Sequence, residues 1–293
     1  MMKEMRHHSS RLNVALVLAL IPGAWGAQAW AQQAAADKSQ QPLIVRSHII
    51  APRSAGAFRL KETSYRPEQK AAGALFRYAS VPEPALTTDV FVFPAGRQPQ
   101  REAIERGMLE FHAGLRAAQE ANYFHDLKMV NEETFPLAVP DSKSGSNDPI
   151  AAAIAAEAPI GRRIDMTMDM GDARTPYRSR GYLFYKHLNF YKVRVSVPTE
   201  AMDAKDFAEF SDHAARTLVA DIDTLNIGAC ADKTIFVDDK AKGQEAMLAM
   251  ARQLAAFANE NCKAEVSEGD LAKLTHGAET VTIEYSPNEW GGQ

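Results

Sequence analysis

The densest chemistry in the chain lies between positions 173 and 194. Arg174, Arg178, Arg180, Lys186, Lys192 and Arg194 fall there without a single acidic residue, interleaved with Tyr177, Tyr182, Phe184, Tyr185, Phe190 and Tyr191. Guanidinium forks grip phosphate or carboxylate, and aromatic faces stack on rings or sugars, so the chemistry on offer is recognition of an anion. The candidate ligand-binding residues are Arg178, Arg180, Tyr182, Lys186, Tyr191, Lys192 and Arg194. In an extended chain, alternation sets Lys186, Lys192 and Arg194 on one side and Tyr185, Tyr191, Val193 and Val195 on the other. A bend near Asn189 would alter that register. A half-buried strand with a solvated basic face has the same composition. As a site, the segment predicts that charge reversal at Arg178, Arg180, Lys192 and Arg194 abolishes binding while folding survives.

Catalytic signatures are missing. The sequence has no Gly-x-Ser-x-Gly elbow, no His-Glu-x-x-His, no phosphate loop and no dinucleotide fingerprint, and nothing in it implies a cofactor. Ser211-Asp212-His213 holds the three residue types of a hydrolytic triad. Consecutive positions on a helix point about 100° apart, so they cannot form a relay among themselves. Glu110, His112, His125 and Asp126 flank the end of one helix and could supply acid–base groups or metal ligands. Met166, Met168 and Met170 fall on one face of an extended segment, where thioethers could hold Cu(I), or equally could fill a core.

The formal net charge of −4 over 293 residues argues against a nucleic-acid binder. Residues 1–31 read as a secretory leader. Lys3, Arg6 and Arg11 precede an apolar run at 14–21 that Pro22 and Gly23 end. Small residues then stand at two cleavage sites, Ala27-Gln28-Ala29 and Ala29-Trp30-Ala31. The run is short for a span, which needs about 20 apolar residues, and no other stretch approaches that length. Export to the periplasm or beyond is the expectation, with no membrane span after cleavage.

Cys230 and Cys262 are the two cysteines. Residues 233–237 read as a strand and 243–258 as a helix with Met247, Met250, Leu254 and Phe257 on its apolar stripe. A helix returning across that strand brings the two cysteines together, which predicts a disulfide in an oxidising compartment. Two buried free thiols are the alternative. A redox pair is disfavoured because Cys-x-x-Cys is absent.

These residues must be held by a framework that the patterning outlines. A polar lead-in (32–43) precedes short strands at 44–50, 57–60, 74–79 and 89–93, a helix at 100–122 with Ile104, Met108, Phe111, Leu115 and Ala118 on one face, and a strand at 124–131. A Ser/Gly/Asp/Pro loop at 139–149, with a candidate subdomain break at 139–150, leads to a short helix at 150–157 and a strand at 163–170. A long strand-like region follows at 181–197. Asp203 then opens a helix with Phe207, Phe210, Ala214, Leu218 and Ile222 on one face, and 280–285 closes the chain as a strand. Strands run in groups rather than alternating with helices, so the expected fold over 44–293 is α+β, a mostly antiparallel sheet with amphipathic helices packed on it. The functional expectation is an exported, non-enzymatic binding or accessory protein for an anionic envelope component or an acidic protein partner. An envelope hydrolase and a copper handler are the alternatives.

Overall fold

The period-two segments pair as strands. A computed structural model describes residues 44–83, 85–138, 148–286 and 289. The expected leader, the lead-in and most of the 139–149 loop lie outside those residues.

The strands of the larger sheet are β2 (Ser54–Ala55), β3 (Phe58–Tyr65), β4 (Ala74–Ser80), β5 (Thr87–Pro94), β6 (His125–Pro136), β7 (Ile160–Met170), β8 (Thr175–Lys186) and β9 (Asn189–Pro198). They lie in the order β2-β3-β4-β5-β9-β8-β7-β6, with every neighbouring pair antiparallel. In the smaller sheet, β1 (Arg46–Pro52) lies between β10 (Asp223–Ile227) and β12 (Ala278–Glu284), antiparallel to both. A two-residue strand β11 (Cys262–Lys263) adds parallel to β10. The architecture is α+β.

Helices cover both faces of the large sheet. α1 (Gln100–Glu120) lays Ala103, Ile104, Met108, Leu115 and Ala118 on Ile164, Met166, Met168, Leu183 and Phe190. Gly107 permits the close approach: a Cβ there would stand 2.6 Å from Leu183 and 2.8 Å from Phe190. After α2 (Pro149–Ala155), α3 (Ala204–Asp221) packs Ala214, Ala215, Leu218 and Val219 on the opposite face, against a cluster holding Phe58, Phe76, Tyr182, Phe184 and Tyr191. That cluster continues into the small sheet through Ile49, Ala51, Val281 and Ile283. Asp203 caps α3 as expected, its carboxylate accepting from the N–H groups of Lys205 and Asp206.

Two local expectations are corrected. The region at 181–197 is not one bent strand but part of a hairpin, in which β8 and β9 meet at the two-residue turn His187-Leu188. Both turn residues have left-handed φ, 51° and 60°, a conformation usually given to Asn-Gly. Tertiary contacts hold it there. His187 donates its N–H to Asn259 O at 3.0 Å, its carbonyl accepts from Asn226 Nδ2 at 3.0 Å, and Leu188 O accepts from the N–H of Ala95 and Gly96. The reversal moves Lys186 to the face opposite Lys192 and Arg194.

The segment 233–237 is not a strand. Phe236 satisfies its N–H and carbonyl through the side-chain amide of Gln253, on α4 (Gln244–Glu260), at 2.8 and 2.6 Å. The strand that feeds the crossover is β10, upstream of Cys230, and α4 returns the chain to β11. Cys230 and Cys262 are thereby brought within disulfide reach, their Cα atoms 5.9 Å apart. α5 (Glu268–Leu274) then leads to β12.

Candidate functional site

The hairpin divides the basic, aromatic segment between two faces with different chemistry. On the α3 face the side chains have internal partners. Asp212 accepts from Arg163 at 2.9 Å, from Arg180 at 3.0 Å and from the Tyr182 hydroxyl at 2.6 Å. Arg180 also holds Asp165 at 2.5 Å and donates to Ala208 O at 3.1 Å. Arg178 donates to Met202 O, and the Tyr191 hydroxyl bonds Thr224 Oγ1 at 2.7 Å. Lys186 closes the C-terminal end of α3, its ammonium donating to the carbonyls of Val219 (2.9 Å), Ala220 (3.3 Å) and Ile222 (2.9 Å). This meets the unpaired carbonyls and the negative dipole end of the helix together.

Burial shifts these groups. It lowers the Lys186 ammonium from its ordinary range, and it raises the Tyr191 hydroxyl. Burial and then the bond to Asp212 raise the Tyr182 hydroxyl. Arg178, Arg180, Tyr182, Lys186 and Tyr191 thus tie the hairpin to α3, to its approach and to β10.

On the α1 face, register places alternate residues in rows across the strands. One row runs Gly181, Arg194, Asp89, Arg77, Glu62. Beyond the glycine it is a ladder of alternating charge: Arg194 meets Asp89 at 3.3 Å, Arg77 meets Asp89 at 2.7 Å, and Arg77 meets Glu62 at 2.9 Å. Two cations face two carboxylates, and the ladder is neutral.

The adjoining row runs Leu183, Lys192, Phe91, Leu75, Ser64. Lys192 is its one charge. Its ammonium stands 4.8 Å from the Phe91 ring centre and 5.4 Å from that of Phe111 on α1. Gly181 makes room for Phe111, since a Cβ on that glycine would fall 2.5 Å from the ring. Among the described residues no carboxylate or other acceptor bonds the Lys192 ammonium. Desolvation first, and then the Arg194 cation, bring it down to about 8. Phe91 and Leu75 are partly exposed, and the Arg194 side chain retains 39% of its exposure. The arrangement offers one unmatched cation, one partly used guanidinium and apolar surface beside them.

The other constellations disperse. His112 bonds Glu132 at 2.7 Å, and Glu132 also holds Arg162. Asp126 meets Arg174 at 3.4 Å, and Glu110 lies 3.9 Å from Arg106. Among the described residues, no group of three or more His, Cys, Asp or Glu side chains is placed to hold a metal. Met166 and Met168 are buried under α1. Ser211 Oγ bonds Phe207 O, Asp212 faces the arginines, and the His213 ring lies 5.7 Å from that of Phe58. A cleft of about 140 Å³ beside the hairpin turn is lined by Tyr185, His187, Asn259 and Glu260 among others. Four of its polar side chains are bonded internally: Tyr185 to Gly96 O, His187 to Asp223, Asn259 to Glu157 O, and Glu260 to Arg97 and Lys233.

Sequence reasoning singled out Lys192 and Arg194 but missed Phe91, Phe111, Asp89 and Arg77, which build their surroundings. Phe111 was legible only as part of a helix's apolar stripe. The rest are distant in sequence and meet through register alone. The chain matches no protein-family model, and it matches no curated protein in sequence.

Proposed function

We propose that this protein is an exported, non-enzymatic binding or accessory module that holds an anionic component of the cell envelope on the α1 face of its large sheet. Lys192 carries this reading: among the described residues it is a cation without a counter-charge, beside a ladder whose charges cancel. An anion placed there would gain a charge-assisted bond from Lys192 and a second from Arg194, and its apolar part would rest on Phe91 and Leu75. The basic, aromatic segment is thereby narrowed to two binding residues, because Arg178 and Arg180 serve α3 and its approach. Export is supported by the leader-like pattern of residues 1–31 and by a cysteine pair compatible with an oxidising compartment. No described helix is long and apolar enough to cross a membrane.

The test is a thermal-melt and titration panel of anionic lipids, acidic glycans, phosphate and benzoate, run at low and high salt. At least one is expected to stabilise the wild type, with an effect that salt diminishes. Lys192→Gln and Arg194→Gln are each expected to weaken binding on the order of tenfold, the loss of one charge-assisted bond. Undiminished binding in folded Lys192→Gln overturns the assignment.

A further inference from the structure

We propose that Lys192 is a covalent capture site, whose amine condenses with the carbonyl group of aldehyde- or keto-acids while their acidic group rests on Arg194. The inference rests on the anion-binding reading and names the chemical class of the ligand.

Lys192 differs in its surroundings from other lysines of the chain. Lys70, Lys205, Lys233 and Lys273 face carboxylates, and Lys186 spends its donors on three carbonyls. Each of those contacts favours the ammonium, which has no lone pair to donate. Burial also lowers Lys233, to about 8, yet the Glu260 carboxylate lies against it. Lys192 has two ring faces, which attract an ammonium more weakly than a carboxylate does, and no acceptor among the described residues. Low polarity and a neighbouring cation are the two conditions that free an amine for nucleophilic attack. The same rings supply a surface for the body of a flat carbonyl compound. Arg194 spends a nitrogen on Asp89 and remains 39% exposed, so its fork can take a second oxygen.

The chemistry needs no oxidant and no second substrate. The nitrogen lone pair forms a bond to the carbonyl carbon as the C=O π pair moves to oxygen, and a proton passes from nitrogen to that oxygen. The resulting carbinolamine loses its hydroxyl with one more proton as water, leaving a C=N bond to Lys192. Hydrolysis reverses every step, so the capture is a reversible store of the carbonyl compound.

The experiment treats the full protein with 4-carboxybenzaldehyde and cyanoborohydride near pH 7.5, then maps labelled lysines by mass spectrometry. Lys192 is expected to be labelled on the order of tenfold faster than exposed lysines such as Lys205, and benzoate is expected to slow it. Equal rates at Lys192 and Lys205 overturn the proposal. Phe111→Leu, checked for a cooperative melt, is expected to lower the Lys192 rate, and an unchanged rate also overturns it. If benzoate shifts the wild-type melt but Lys192 takes no adduct, covalent capture fails and the anion-binding reading stands. If benzoate and the other anions of the panel are inert as well, both fail.

Discussion

Lys186 and Lys192 stand on the two arms of one hairpin, and their environments are opposite. Lys186 faces α3, where three carbonyls at a helix end accept hydrogen bonds from its ammonium. Lys192 faces α1, where it meets Phe91 and Phe111. The same contrast separates the two faces of the sheet. Toward α3, Arg163 and Arg180 meet Asp212 and Asp165 under a covering helix. Toward α1, the ladder from Glu62 to Arg194 is balanced and Lys192 is left over. A cation with three acceptors explains itself as structure. A cation with none among the described residues, held only by the weaker attraction of two ring faces, is costly to bury, and such groups concentrate at functional sites.

Substitutions can break this contrast in order of expected size. Asp212→Ala leaves Arg163, Arg180 and Tyr182 without their shared acceptor and is expected to cost about 3 kcal/mol, read by urea denaturation. A loss under about 1 kcal/mol, the scale of an exposed pair, would mean that the α3 face is as loosely determined as the other. Lys186→Met exposes three carbonyls at the end of α3 and is expected to cost about 2 kcal/mol, with reduced helicity by circular dichroism. Gly181→Ala drives a methyl group into the Phe111 ring and is expected to cost roughly 1–2 kcal/mol. It should weaken anion binding at the same time, because Phe111 forms one wall around Lys192.

Lys192→Met is expected to have the smallest effect and the opposite sign. Replacing an unpaired, partly buried cation by an apolar chain of similar length should stabilise by up to about 1 kcal/mol at neutral pH while weakening anion binding on the order of tenfold, as Lys192→Gln does. The pH dependence sharpens the comparison. Lys192 releases its proton near pH 8 in the folded protein, whereas an unfolded lysine keeps it to about 10.4. Between those values the unfolded chain binds more protons, so stability rises with pH across the window. Lys192→Met should remove its share of that rise, measured as the difference between the two stability profiles from about pH 7 to 10. Parallel profiles would show that the Lys192 ammonium is solvated after all.

How far the sequence carries is visible at particular elements. The apolar stripes of α1 and α3 and the Asp203 cap were legible because a 3.6-residue period and an N-cap are local signals. The turn at His187-Leu188 was not, because neither residue favours left-handed φ and distant carbonyls and amides stabilise it. That single reversal exchanged the face of Lys186. β10 went unread because its five residues form a strand through pairing with β1 and β11, and the residues at 233–237, more strand-like in composition, found the Gln253 amide instead.

By itself, then, the sequence determined the class of the fold, the helices α1 to α4 and the existence of a basic, aromatic segment. Each follows from periodicity, composition or short connections, which act within a few turns of chain. Which cations of that segment are matched was decided only by the tertiary structure. A counter-charge such as Asp212 or Asp89 lies tens of residues or more away, and only strand register and the helix laid on each face determine which side chains meet.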